Sequence, residues 1–228
     1  MTIVLGLALS FFFTSIMAQE EMKTLFGGGD RNVSISGFGG IINEFSAVDG
    51  EFAFLMGGGG ALLIDQKFFL GAYGMGLTTR HIRNYTRYDY NLERNIYSPD
   101  LYTRFGHGGF WLGYIHNPRN IIHWGANMKI GWGSVTLNDL KYPANDYKWE
   151  SYASDNVFVL TPEIDMGINL LKWMRVNVGL GYRLVTGVDK TYAYENANGQ
   201  IVQNEYFDRN AFSNFEGSVS LVFGGFGK

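Results

Sequence analysis

The fold is decided by two alternating segments, NVFVLTPEIDMGINL (156–170) and RVNVGLGYRLVTGV (175–188), which flank the short turn LKWM (171–174). In both segments nearly every second residue is large and apolar, and the residues between them are small, polar or charged. Side chains on a β-strand alternate between two faces, so a period of two predicts an antiparallel hairpin with one apolar and one polar face.

The same pattern recurs along the chain between turn residues. It predicts eight strands, near 32–43, 51–64, 68–82, 104–116, 121–137, 156–170, 175–188 and 211–226. Three links are tight turns, at 65–67, 117–120 and 171–174. The other connections lie near 44–50, 83–103, 138–155 and 189–210, and three of them are long and polar. Because tight and longer links alternate, the pattern favours an up-and-down barrel over a sandwich with crossing connections.

The two faces of these strands differ in charge. The apolar face has no charged residue and includes Phe52, Met56, Phe69, Tyr73, Met75, Trp124, Trp132, Ile164, Leu180, Tyr182 and Phe215. The opposite face has small and polar residues, among them Gly57, Gly59, Gly74, Gly76, Asn127 and Ser218. It also has eight charged residues, Glu51, Arg80, Lys129, Glu163, Asp165, Arg175, Arg183 and Glu216. The segment 104–116 is ambiguous and is assigned to neither face.

Which face points inward decides the class of barrel. A soluble eight-stranded barrel of the lipocalin type would enclose the apolar face, but its interior has too little room for so many bulky side chains. Its water-facing surface would also be unusually rich in glycine and poor in charge. The inverted arrangement places the apolar side chains in lipid and satisfies the backbone polar groups within the bilayer. We therefore predict an all-β, eight-stranded antiparallel transmembrane β-barrel, with Tyr73, Trp124, Trp132 and Tyr182 near the membrane interfaces.

The composition of the 228 residues excludes several classes of protein. Charged residues make up 17% and the formal net charge is −3, so the chain has no basic field for binding nucleic acid. It has no cysteine, which rules out disulfides, thiolate metal sites and cysteine nucleophiles.

The N-terminus is typical of an export signal. Residues 3–16 form an uncharged apolar run, too short to span a bilayer, that is followed by Ala18 and a polar segment. This predicts an exported chain with a signal peptide over 1–18, a lead over 19–31 and a single barrel domain over 32–228. The alternative is that the run is a buried N-terminal strand or helix.

Glycine-rich stretches and the C-terminal strand add a resemblance to a known family. They are GFGG (37–40), GGGG (57–60) and the aromatic, glycine-containing strand at the end of the chain. With the alternating strands, they make residues 30–228 similar to the small eight-stranded outer-membrane barrels of Gram-negative bacteria. Examples are the transmembrane domain of outer membrane protein A and its short-loop relatives. The resemblance implies a barrel located in the outer membrane, a periplasmic lead over 19–31, periplasmic termini and tight turns, and longer loops at the cell surface.

The charged residues of the polar face are balanced, with four acidic and four basic side chains. Buried charges are tolerated when they are paired, so we predict an ion-pair plug inside the barrel; the alternative is a path for protons or ions. A hairpin closed over 172–174 would place Glu163 opposite Arg183, with Asp165 diagonal to it.

Other chemical motifs are weak. Glu163 and Asp165 share a lumenal face, where no polysaccharide fits, and the glycine runs lack the Lys-Ser/Thr of a phosphate-binding loop. The four histidines have no metal-ligand spacing, and His81, near Thr78 and Thr79, matches no motif of the outer-membrane enzymes. We therefore predict no catalytic residue, no cofactor and no metal.

Tyrosine is concentrated in the predicted loops. The candidate recognition residues are Tyr85, Tyr88, Tyr90, Tyr97, Tyr142, Tyr147, Trp149, Tyr192, Tyr194 and Tyr206. Tyrosine provides rigid contact area with a polar tip, which favours a recognition surface. The alternative is that the strands continue past the membrane as hairpins, notably around 196–199, because tyrosine also suits strands.

Three functions are open. The first, which we favour, is a non-enzymatic barrel with a structural or interaction role, contacting outer-membrane lipid and a surface ligand or another outer-membrane protein. The second is a narrow pore for small or hydrophobic solutes, and the third is a lipid-modifying or proteolytic enzyme.

Overall fold

The computed structural model describes residues 33–141 and 148–226, apart from the side chains of residues 140–141 and 148–150. The predicted signal peptide (1–18) and lead (19–31) lie outside the described residues. Within them the strands are β1 (Ile35–Val48), β2 (Glu51–Ile64), β3 (Phe68–Leu77), β4 (His81–Asp89), β5 (Arg94–His116), β6 (Ile122–Lys141), β7 (Lys148–Leu171), β8 (Met174–Thr186), β9 (Thr191–Glu195), β10 (Ile201–Glu205) and β11 (Asn214–Gly224).

The strands form a closed antiparallel ring in the order β1, β2, β3, β5, β6, β7, β8, β11. The ring closes because β11 pairs with both β8 and β1, and β3 pairs with both β2 and β5. β4 follows β3 after residues 78–80 and continues along the same neighbour, β5. The predicted eight-stranded up-and-down barrel is therefore confirmed.

The turns at 65–67, 117–121 and 172–173 lie at one end of the barrel, which we call the tight-turn rim. The other connections lie at the opposite end, which we call the loop rim. One of them differs from the prediction. β1 runs to Val48, which pairs with Glu51 across a two-residue turn of Asp49 and Gly50, with φ of 51° and 77°. Asp-Gly suits such a turn, so the connection is the two residues 49–50 and the predicted bounds of 44–50 are wrong.

The other loop-rim links contain strands that extend beyond the barrel. The predicted loop 83–103 is largely β4 and the start of β5, and the predicted loop 138–155 contains the end of β6 and the start of β7. In the link 189–210, β9 and β10 form a separate hairpin. We call residues 81–103 and 187–213 the head. These links therefore consist largely of continuing strands, as the alternative interpretation of the tyrosine-rich segments expects.

The outward surface of the barrel is an apolar band. Its exposed members include Ile35, Ile41, Phe45, Phe52, Met56, Leu62, Phe68, Leu70, Phe110, Trp124, Trp132, Ile164, Met166, Leu180, Leu184, Phe215 and Phe223. The band ends near Phe45, Phe52, Trp132 and Phe215 on the side of the loop rim. The head, which includes Arg83, therefore lies beyond the apolar band, and so does Glu51 at the start of β2. No helix in the described ranges is long and apolar enough to cross a membrane.

One strand, β3, corrects a predicted face, and the structure also shows which side chains of the unassigned segment 104–116 point inward. On β3, Phe69, Tyr73 and Met75 are buried in the lumen, and Gly74 and Gly76, predicted to face inward, face outward with open space around them. The reason lies on β2, where Gly59 is opposite Tyr73 and leaves the lumen free for its ring. On the unassigned segment 104–116, Phe105, His107, Trp111 and Ile115 point inward.

Candidate functional site

A buried ionic layer crosses the middle of the lumen, with Lys129 at its centre. The Lys129 Nζ lies 2.8 Å from Glu44 Oε1, 3.0 Å from Glu163 Oε2 and 3.9 Å from Glu216 Oε1. All four side chains are buried. One ammonium group thus holds three carboxylates from β1, β7 and β11, and it ties three separate parts of the ring to β6.

Arg183 forms the second half of this layer. Its Nη1 lies 3.2 Å from Glu216 Oε2, its Nε donates to the Phe212 carbonyl oxygen at 3.0 Å, and its Nη2 donates to Ser46 Oγ at 3.2 Å. The guanidinium is fully buried and lies 5.6 Å from the centroid of the Phe105 ring. Glu216 therefore bridges the two cations, and the layer is one connected network.

Asp165 is held by amide hydrogen bonds. Asn127 Nδ2 donates to Asp165 Oδ2 at 2.8 Å and to Glu163 Oε1 at 3.1 Å, and Asn127 Oδ1 accepts from Trp111 Nε1 at 3.2 Å. Buried polar groups are costly unless they are bonded in this way. Asn127 and Trp111 therefore connect the ionic layer to the side chains below it.

The structure places six of the eight predicted lumenal charges in the lumen: Lys129, Glu163, Arg175, Arg183 and Glu216, which are buried, and Asp165, which is half-buried. The other two are corrections. Glu51 lies at the loop rim and is 52% exposed, and Arg80 is exposed in the break between β3 and β4. Both lie at strand ends, where the alternation no longer fixes the direction of the side chain.

The predicted pairing of Glu163 with Arg183 is wrong. The structure pairs Glu163 with Gly181 across β7 and β8. The turn is one residue shorter than predicted, because Leu171 pairs with Met174, and an irregularity between Asn169 and Leu171 shifts the register by one more residue. Sequence reasoning also missed Glu44, since the first strand was predicted to end at residue 43. The two-residue period could have predicted that Glu44 points inward, because Glu44 is an even number of residues from Ser36, which faces inward.

Below the ionic layer, aromatic rings fill the lumen towards the tight-turn rim. Phe38 packs against Phe69, Trp111 and Phe226 with ring centroids 5.4, 5.5 and 5.9 Å apart. A cavity of about 30 Å³ remains beside Asn127 and Arg175. It has room for about two water molecules, so this end of the lumen is closed to solutes.

Above the ionic layer, the lumen is filled by apolar side chains. The buried members are Leu101, Phe105, Val135, Leu137, Val159, Val185, Phe207 and Phe212. Phe212 packs against Phe105 and Phe207 with centroid distances of 5.2 Å to each. The lumen is therefore blocked by an apolar layer, an ionic layer and an aromatic layer in turn.

At the loop rim the structure brings together a hydroxyl, an imidazole and a carboxylate. Thr79 Oγ1 lies 3.0 Å from His81 Nε2, and His81 Nδ1 lies 3.4 Å from Glu51 Oε2. This is the order of groups in a nucleophilic triad. Burial lowers the pKa of His81 below its ordinary value, although the Glu51 carboxylate opposes the shift.

Three features disfavour nucleophilic catalysis by the Thr79 hydroxyl of this cluster. The His81 side chain is 2% exposed, the Thr79 hydroxyl already accepts the Phe54 N–H at 3.2 Å, and burial disfavours the imidazolium that a triad must form. Arg83 is bound to Asp49 at 2.7 Å and to Glu51 at 3.3 Å. The cluster joins the break between β3 and β4 to the β1–β2 turn, and this structural role explains its contacts.

Within residues 33–141 and 148–226, no three His, Asp, Glu or Cys side chains form a group that could hold a metal ion. His107 is buried in the lumen, with its Nδ1 3.1 Å from the Tyr73 hydroxyl. His116 stacks on Trp124 with centroids 4.9 Å apart. Each has an aromatic partner that accounts for its position.

Several predicted recognition tyrosines form the interior of the head. Tyr85 packs against Tyr192 and Tyr206 with centroids 5.4 and 5.0 Å apart, and its hydroxyl donates to the Tyr206 carbonyl oxygen. Burial raises the pKa of Tyr85 to about 12. Asn95 and Glu195 exchange two hydrogen bonds of 2.9 Å, which tie β9 to β5. These contacts hold the head together, and they leave Tyr85 and Tyr192 half-buried and Tyr206 buried.

Other predicted tyrosines are available at the tip of the β4–β5 hairpin. Tyr90 is 64% exposed and Tyr97 is 60% exposed, with Leu92 exposed between them. Tyr88 packs on Tyr90 with centroids 5.3 Å apart and stiffens the tip. Tyr194 is half-buried. Tyr142, Tyr147 and the side chain of Trp149 lie outside the described residues.

Known proteins resemble this chain in fold. No family model and no curated protein matches it. Neisserial surface protein A is similar over 85% of this chain and 98% of its own, with 6% identity and a TM-score of 0.47. A major outer membrane protein of Thermus thermophilus is similar over 83% and 98%, with 12% identity and a TM-score of 0.48. Ail of Yersinia pestis is similar over 83% and 96%, with 11% identity and a TM-score of 0.37. At these identities no site chemistry transfers to this chain.

Proposed function

We propose that this chain is a non-enzymatic barrel of a bacterial outer membrane, with a closed lumen and a rigid head that binds a partner at the cell surface. The observation that carries the proposal is the inverted distribution of side chains. Bulky apolar residues such as Leu180 and Phe215, each 76% exposed, cover the outside of the barrel, and charged residues of the same strands are buried in its lumen, among them Lys129, Arg183 and Glu216. Water would penalise such a surface, whereas lipid favours it.

The filled lumen favours this function over a narrow pore. Ions would have to displace the paired charges around Lys129, and hydrophobic solutes would have to cross that same charged layer. Reconstituted in a planar bilayer in concentrated KCl, the full chain is expected to give no unitary conductance steps. A porin in the same bilayer serves as the positive control, and reproducible steps from this chain would support the pore instead.

Binding is proposed at the tip of the β4–β5 hairpin. Exposed apolar and aromatic side chains on a rigid strand hairpin offer contact area at a low cost in conformational entropy. The tyrosines packed together beneath the tip, Tyr85, Tyr192 and Tyr206, hold it in place, which reduces the entropy lost on binding.

Site-specific photo-crosslinking in living cells tests this binding role. A photoreactive phenylalanine is placed at Tyr90 or Tyr97, and at Gln203, an exposed residue of β10, as the matched control. We expect discrete adducts at the two tip positions and none at Gln203. If the surface-exposed protein gives no adduct at either tip position, or equal adducts at all three, the proposed role of the tip is wrong.

A further inference from the structure

A groove of about 700 Å³ lies at the tight-turn rim, between the β5–β6 turn and the β7–β8 turn. Its lining includes Pro118, Arg119, Asn169, Leu171, Lys172 and Phe226. The groove is separate from the lumenal ionic layer, because Phe226 stands between it and the cavity beside Arg175. The proposed binding function of the head makes no use of it.

Asn169 fixes the two walls of the groove. Its side-chain amide donates to the carbonyl oxygens of Pro118 at 2.9 Å and of Asn120 at 2.7 Å, and its backbone N–H donates to the carbonyl oxygen of Ile121 at 2.8 Å. Its Oδ1 accepts from Arg175 Nε at 2.8 Å. Both turns are therefore held in place before any ligand arrives, which lowers the cost of binding.

The groove is cationic. Arg119 and Lys172 are exposed, one on each turn, and neither forms an ion pair within the described part of the chain. No carboxylate is among the lining residues. A guanidinium and an ammonium group facing one space match the oxygens of a phosphate, with arginine able to bind two of them.

The groove continues into the apolar band. Leu170 and Leu171 on one turn and Ile121 and Ile122 on the other are exposed. Trp173 stacks on Phe223 with centroids 6.0 Å apart, a position typical of a membrane interface. Cations beside exposed aliphatic side chains at the edge of the band suit a ligand with an anionic head and an acyl tail.

We propose that this groove binds an anionic glycerophospholipid, with its phosphate between Arg119 and Lys172 and an acyl chain along Leu170 and Ile122. The inference rests on the proposed membrane location. A phosphate ion or a soluble phosphate ester shares the head-group chemistry, but it would leave the aliphatic part of the groove unused.

Lipid binding to the full chain in maltoside micelles tests the proposal, with native mass spectrometry or a fluorescent lipid as the readout. The probes are phosphatidylglycerol, phosphatidylcholine with the same acyl chains, and glycerol 3-phosphate. We expect preferential binding of phosphatidylglycerol, weakened about fivefold by Arg119→Gln or Lys172→Gln and about twentyfold by both. Lys67→Gln removes an exposed cation from another turn of the same rim and is expected to leave binding unchanged.

Each other outcome overturns the inference. Equal loss in Lys67→Gln would indicate a general charge effect, and unchanged binding in the double variant would place the lipid elsewhere. Binding of glycerol 3-phosphate as tight as that of the lipid would make the site one for soluble phosphate. Insertion of all variants into phosphatidylcholine vesicles is measured separately. Failure there would contradict the membrane location, whereas intact insertion without lipid preference would contradict the groove alone.

Discussion

Lys129→Met is expected to destabilise the barrel by about 3–5 kcal/mol, the usual cost of removing one partner of a buried ion pair. Lys129 is 1% exposed and lies within 4 Å of Glu44, Glu163 and Glu216. Methionine fills a similar volume but leaves the carboxylates facing one another without the ammonium group. Urea unfolding of the chain in phospholipid vesicles measures the change in the free energy of unfolding.

Two further variants separate charge from packing in this prediction. Lys67→Met, on the exposed turn 65–67, is expected to change the free energy of unfolding by less than about 0.5 kcal/mol. Adding Glu44→Gln to Lys129→Met removes one uncompensated charge, so the double variant is expected to be more stable than Lys129→Met alone. A loss below about 1 kcal/mol, with no recovery in the double variant, would mean that the network contributes little.

The alternation of residues was sufficient to predict the ring of strands and the outward faces of β6, β7, β8 and β11. On those strands one parity is apolar and the other is polar, as Ile164 and Glu163 illustrate. On β3 it failed, because Phe68 and Phe69 are both large and apolar. There the face is set by the neighbouring strand, where Gly59 leaves lumenal space for Tyr73.

Partners within the site could not be predicted in the same way. The alternation of residues places Glu163 and Arg183 in the lumen. The register between β7 and β8, however, depends on the turn and on the irregularity near Asn169, which no local pattern indicates. The partner of Arg183 comes from β11, and that of Glu163 from β6. Such contacts depend on the size of the closed ring, which is a property of all the strands together.

Two glycines of the barrel point in opposite directions, which also could not be predicted from the alternation of residues. They allow a matched test. Gly57 on β2 points inward and Gly74 on β3 points outward. A Cβ at Gly57 would overlap the Gly74 carbonyl oxygen and lie 2.7 Å from Met75 Sδ. A Cβ at Gly74 would meet nothing within 4 Å. The two positions are neighbours across β2 and β3, and each variant adds a single methyl group.

Gly57→Ala is therefore expected to destabilise the barrel by about 3 kcal/mol or more, because a backbone carbonyl cannot move aside without disturbing the β2–β3 ladder. Gly74→Ala is expected to change the free energy of unfolding by less than about 0.5 kcal/mol, since its methyl group enters open space on the apolar surface. Urea unfolding in vesicles measures both, and the folded fraction seen by gel shift serves where Gly57→Ala fails to fold. Equal effects of the two substitutions would contradict the inward direction of Gly57.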